Sequence, residues 1–326
     1  MHKHQVLAWM EKLEALMQQH NFPPQLIFNF DETMLDPGHP RVKVISHSKR
    51  PRPFLEIAAK GEHITFGLCI SAAGTFIRPL CILSLVNLPD LPREVTSFFN
   101  MSGQENGFIT KEIFFYWVRD VFIPFVENTR QQLRCSDQTA LLIVDSHNSC
   151  DHSDTIKLLE QHNIIVFVLL AHSSTILQPL DLSVNKKLKE ALQENFEPKP
   201  HESVPEKRSR LLYISIFCLQ IALNALPIKR GFARAGIWPF VKEAPLKSHL
   251  VRNPTNEVPS IVTTKKNKRR RIAGVVLTPE NTHTPLPPRP RSKRLCGPSQ
   301  PLIHQTQPPT QPTPQPVDRI MYFHAL

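Results

Sequence analysis

Two short apolar runs, Leu141-Leu142-Ile143-Val144 and Ile164-Ile165-Val166-Phe167-Val168, flank a segment of helical pattern at 153–162, and a second helical pattern follows at 179–194. Runs this short and this rich in branched side chains read as strands with both faces covered. Strands expected at 140–144 and 163–170, joined through a helix, must lie parallel beneath a helical layer. The fold class that follows is α/β, a mixed sheet flanked by helices.

The rest of the chain is consistent with this frame. Leu7, Met10, Leu13, Leu16 and Met17 recur at helical spacing, which predicts an amphipathic helix over 5–20, ended by Pro23-Pro24. Strands are expected at 26–31, 41–46, 63–71 and 75–83, with Ala73-Gly74 turning the last pair into a hairpin. Ile113, Trp117, Val121 and Phe125 stand four apart, so 110–130 reads as a helix bent by Pro124. Helices are expected again at 207–226 and 229–237. From about residue 249 Pro, Thr, Gln and Arg dominate, and so few apolar groups cannot offset the entropy of ordering. That tail is expected to be disordered.

Charge separates the same two parts. Residues 247–296 carry 12 Lys and Arg against Glu257 and Glu280, whereas residues 1–246 carry 26 against 25 acids. The basic character therefore belongs to the tail and the body is close to neutral. The run Lys265, Lys266, Lys268, Arg269, Arg270, Arg271 reads as a nuclear localisation signal, or as a nonspecific phosphate contact. The prolines Pro285, Pro287, Pro288 and Pro290 read as linker. The six cysteines lack CxxC or zinc spacing, which suits a reducing compartment. Glu11, Lys12 and Glu14 fall where a signal peptide needs an apolar stretch. Leu211–Ile228 is apolar but holds Gln220, Asn224 and Pro227, so a packed helix is expected there and no membrane partner.

Three aspartates stand out on this frame. Asp31 lies within the apolar run Ile27, Phe28, Phe30, where a buried carboxylate is costly without a strong partner. Asp145 follows Leu141–Val144 at the carboxyl end of a parallel strand, where open α/β sheets place their ligands. Asp181 falls two residues after Pro179, in the first turn of a helix whose Leu180, Val184 and Leu188 face inward. Taken singly, an aspartate at a strand end is more often a turn or cap residue. Together, three carboxylates can hold hard divalent ions, which need oxygen ligands and cleave phosphodiesters. Glu32 is read as solvent-facing.

Asp31-Glu32-Thr33, Asp145-Ser146-His147 and His172 through Gln178-Pro179-Leu180-Asp181 together resemble the DDE superfamily endonuclease domain. The closer likeness is to the pogo/Tigger/jerky branch of mariner-type transposases, whose triad ends in Asp. Ser71-Ala72-Ala73-Gly74 and Gly231 through Phe240 match that branch as well. The resemblance covers about 26–240. It implies a ribonuclease-H-like fold with Asp31 and Asp145 on adjacent strands and Asp181 on the following helix, holding two Mg²⁺ or Mn²⁺ ions. His147, His172 and Gln178 are then expected to support the triad from behind.

The resemblance implies a linker helix over 1–24, the nuclease domain over 25–200, its C-terminal helices over 201–248 and the tail over 249–326. It implies DNA as partner and leaves a homo-oligomer open, while the basic run on the tail leads to the expectation of a nuclear import receptor and a nuclear location. The pattern departs from the branch at Cys150, where a second His is common, and at Leu170, Ala171 and Thr175, where a Pro-rich run is common. Arg78-Pro79 stands where Pro-Pro is frequent. The branch carries helix-turn-helix modules ahead of the nuclease, and with Met1 only 30 residues before Asp31 that part is expected to be missing. Two functions follow: a transposon-derived, metal-dependent endonuclease, or a domesticated nuclear binding module that keeps the fold without catalysis.

Overall fold

The structure is a computed structural model, and it describes residues 1–35, 63–145, 153–251 apart from Pro198 and Pro200, and 276–278. Helix α1 (Lys3–His20) buries Val6, Trp9, Met10, Leu13 and Leu16. It ends at Asn21, which takes a left-handed conformation (φ 46°), before Pro23-Pro24 is reached. Strands β1 (Ile27–Leu35), β2 (Ile64–Ser71) and β3 (Phe76–Leu83) pair antiparallel, and Gly74 (φ 96°) makes the turn between β2 and β3. Strand β1 runs past the expected 31 because its pairing with β2 continues to Leu35 opposite Ile64. Asp31 is thus inside a strand. The expected strand at 41–46 lies outside the described residues, as do His147, Cys150, the basic run 265–271 and the Pro-rich stretch.

Helix α2 (Arg93–Phe98) and β4 (Asn100–Gly103) come next, β4 lying parallel to β3. The helix expected over 110–130 is two helices, α3 (Lys111–Trp117) and α4 (Ile123–Leu133), joined by a π-turn at Val118–Phe122. Pro124 has no N–H to donate and its ring crowds the preceding turn, so the ladder widens immediately ahead of it. Then follow β5 (Ala140–Val144), α5 (Ser153–Gln161), β6 (Ile164–Val168) and α6 (Ser174–Leu177). A second π-turn, Leu180–Val184, leads into α7 (Asn185–Asn195), and α8 (Val204–Ala222), α9 (Ala225–Arg234) and β7 (Val276–Leu277) complete the described elements.

Among these residues the sheet order is β4-β3-β2-β1-β5-β6-β7. Strands β1, β5 and β6 run parallel, the β5–β6 pair as the strand–helix–strand pattern requires. An antiparallel β3-β2-β1 block extended by parallel β5 and β6 is the ribonuclease-H-like arrangement. Both faces are covered, and strand alternation decides which residue meets which layer. Phe28, Phe30, Leu142 and Val144 pack with Trp117, Phe122 and Val126 on one side. Ile27, Leu141, Ile143 and Phe167 pack with Trp9, Leu180, Leu188, Leu219 and Phe232 on the other. The indole of Trp9 also donates to the Val168 carbonyl at 2.9 Å, so α1 is keyed into the sheet. Among the described residues no single helix is long and apolar enough to cross a membrane.

Candidate active site

Period two along β1 sends Asn29 and Asp31 to the same face as Ile27, the face that carries α7. The same alternation along β5 sends Asp145 there after Leu141 and Ile143. The β1–β5 register pairs Asn29 with Ile143 and Phe30 with Val144. Asp31 and Asp145 are therefore each the next residue beyond the last paired position, on neighbouring parallel strands about 5 Å apart. Two of the three aspartates come to the same end of the sheet because two neighbouring strands stop pairing there.

The third is brought over by Asn29. This residue is fully buried, its side-chain amide donates to the Ile143 carbonyl at 3.1 Å, and its Oδ1 accepts from the Leu180 backbone N–H at 3.1 Å. Leu180 N–H is one of the first-turn donors that a helix cannot satisfy itself, so the strand caps the segment that carries Asp181. From behind, α9 presses on the same segment at Gly231. A Cβ there would stand 2.4 Å from the Pro179 carbonyl oxygen and 2.6 Å from Ser183 Oγ. Arg234 then donates to the Leu182 carbonyl at 2.8 Å. That close approach gives a physical reason for glycine within the block Gly231–Phe240.

The closest geometry in the site belongs to a residue that the sequence did not single out. Asn185 Nδ2 donates to Asp31 Oδ2 at 2.7 Å and to Asp181 Oδ1 at 2.9 Å, so one amide nitrogen bridges two carboxylates. Its Oδ1 is buried and has no hydrogen-bond partner. Burial, followed by the neighbouring Asp181 charge, pushes the Asp31 carboxyl up to about 7, against the lowering effect of the bonds from Asn185 and Gln178. Asp145 Oδ2 accepts from Ser174 Oγ at a long 3.4 Å.

These groups line one open cleft of about 650 Å³, which also takes in Glu32, Met34, Phe108, Ile109, Gln178 and Lys189. Of the residues expected to support the triad, Gln178 is buried beside Asp31 and its Oε1 lacks a partner. His172 is exposed, at φ 61°, and is not part of the cleft wall. Glu32 is half-buried rather than solvent-facing: its Oε1 accepts from the Ile109 N–H at 3.1 Å, which ties β1 to the loop ahead of α3. Lys189, one turn beyond Asn185, adds a cation at the cleft that no sequence motif had marked. Among the described residues no three His, Cys, Asp or Glu side chains stand together as a ready metal cage.

The profile of the family described as DDE superfamily endonuclease matches residues 61–228. Among curated proteins the chain is 26% identical over 261 residues to MFS-type transporter clz9 of Cochliobolus lunatus, covering 75% of this chain and 27% of that protein. It is 25% identical over 243 residues to the Jerky protein homolog of Homo sapiens, covering 70% of this chain and 39% of the relative. The chain thus spans well under half the length of these relatives. Among solved structures it is similar to a pre-cleavage Mos1 transpososome, at 13% identity and a TM-score of 0.49, over 76% of this chain and 64% of that one.

Proposed function

Because this chain belongs to the DDE superfamily endonuclease family, we propose that its cleft is a divalent-metal centre for DNA strand cleavage or transfer, with Asp31, Asp145 and Asp181 as the metal ligands. The observation that supports this most is the meeting of Asp31 and Asp181 on one amide nitrogen, beside Asp145 at the end of the adjacent strand. Two carboxylates forced together, one of them held on to its proton up to about pH 7, form a site short of positive charge. The donor set is all oxygen, which suits Mg²⁺ or Mn²⁺ and needs no His or Cys.

The chemistry that a bound pair of such ions supplies is activation of an attacking water or 3′-hydroxyl and stabilisation of the leaving oxygen. The chain's own residues do the rest. Asn29 and Gly231 fix the Asp181 segment against β1, so the carboxylates project from rigid elements. Lys189 is positioned to meet a phosphate entering the cleft. Phe108 and Met34, both exposed at its wall, offer apolar surface to a sugar or base. The basic run Lys265–Arg271 acts as a nuclear import signal in this reading, and its replacement by Ala should leave a fluorescent fusion in the cytoplasm.

The test is plasmid nicking with purified protein and Mn²⁺. The wild type should nick, and Asp145→Ala should abolish nicking while keeping its melting temperature. Equal activity in both proteins would overturn the reading. The departures from the branch pattern at Cys150, Leu170 and Ala171 favour a second reading, a binding module without catalysis. Under that reading neither protein nicks and both bind DNA alike.

A further inference from the structure

The bridge made by Asn185 does more than hold two side chains apart. Both hydrogens of its amide are committed to carboxylates, at 2.7 and 2.9 Å, while its carbonyl oxygen is buried and accepts nothing. A buried carbonyl without a donor is the costly half of an amide. The amide nitrogen faces Asp31 and Asp181, and turning its oxygen toward them would set three oxygens against one another. A cation between them reverses that preference.

We propose that Asn185 is itself an oxygen ligand of the divalent cation, its amide turning over so that Nδ2 bridges the carboxylates when the site is metal-free and Oδ1 faces the ion when it is loaded. The residue sits where this exchange is easy. It is the first residue of α7, directly after the π-turn, and its backbone N–H closes that turn on the Leu180 carbonyl. The backbone is therefore fixed and only the side-chain amide needs to rotate. Amide oxygens are ordinary ligands for hard divalent ions.

This inference rests on the metal-centre reading, and binding of Mn²⁺ alone to the full chain separates the two. Calorimetry or the Mn²⁺ electron paramagnetic resonance signal reads the affinity without DNA or turnover. Asp181→Ala should lose the site; if it binds Mn²⁺ like wild type, the metal-centre reading itself fails. With that control met, Asn185→Leu should weaken Mn²⁺ by at least about tenfold. Asn185→Asp, which keeps an oxygen donor but cannot bridge carboxylates by hydrogen bonds, should bind within a few-fold of wild type or more tightly. A residue that only spaced the carboxylates would behave oppositely, with Asn185→Asp as weak as Asn185→Leu; that result overturns the proposal, as does Asn185→Leu binding like wild type. If both variants fail to fold, the wild type still decides. Saturating Mg²⁺ should move the Asn185 side-chain amide proton resonances and speed their exchange with water, whereas unchanged resonances reject the exchange of roles.

Discussion

Asn29 and Asn185 set the chemistry of the cleft as firmly as the aspartates they serve. Replacing Asn29 by Ala leaves the Leu180 N–H without its acceptor and should cost about 1–3 kcal/mol of stability, measured by denaturant unfolding. Asp31 makes a prediction whose sign is unusual for an acid. Its folded pKa, about 7, lies above its ordinary value of 3.8, so the fold holds this proton more tightly than the unfolded chain does. The stabilisation is complete below pH 3.8 and is lost as pH rises through 7. In EDTA, Asp31→Asn should therefore melt higher than wild type at about pH 8, and the gap should close as pH falls toward about 4. A gap that does not change with pH would refute burial and the Asp181 charge as the cause. Neither Asn was legible as a functional residue. In Ile27-Phe28-Asn29-Phe30 the available signal was that a buried amide within an apolar run must be fully bonded.

At the scale of elements, the site depends on how closely α9 approaches the π-turn before α7. Gly231→Ala would drive a methyl into the Pro179 carbonyl, so α9 must retreat or the Asp181 segment must shift. Overpacking of this kind costs about 1–3 kcal/mol, and Mn²⁺ affinity should fall with it; thermal melting and calorimetry read the two effects separately. Strand content was largely legible because both-faces-buried strands announce themselves as short apolar runs, and β5 was located at 140–144 as found. The two π-turns were not. Hydrophobic spacing is nearly the same in a helix with one widened turn, so 110–130 and 179–194 each read as continuous. Pro124 marked the first break correctly, through its missing N–H. No proline follows the second in the same way, and that turn packs against Asn29 and Gly231.

For the whole molecule, charge divides labour between body and tail. The near-neutral body presents Lys189 at the cleft, while the net positive charge lies in the tail from residue 247 on. A chain ending at 251 should bind DNA more weakly and with a shallower salt dependence, by about 0.9 in log–log slope for each phosphate that the tail had neutralised. Lys189→Ala should flatten that slope by the equivalent of about one phosphate without changing stability. The parallel placement of β5 and β6 was legible in the strand–helix–strand pattern, whereas Asp31 and Asp145 on adjacent strands followed only from the family resemblance; the handover of Asp181 by Asn29, and the Asn185 bridge, emerge only when strand and helix are brought together. The central claim is that Asp31, Asp145 and Asp181 surround a divalent cation. Anomalous diffraction from crystals grown with Mn²⁺ measures this directly. An anomalous peak bounded by those three carboxylates is the result expected, and Mn²⁺ bound only elsewhere, with Asn185 still bridging Asp31 and Asp181, would contradict it.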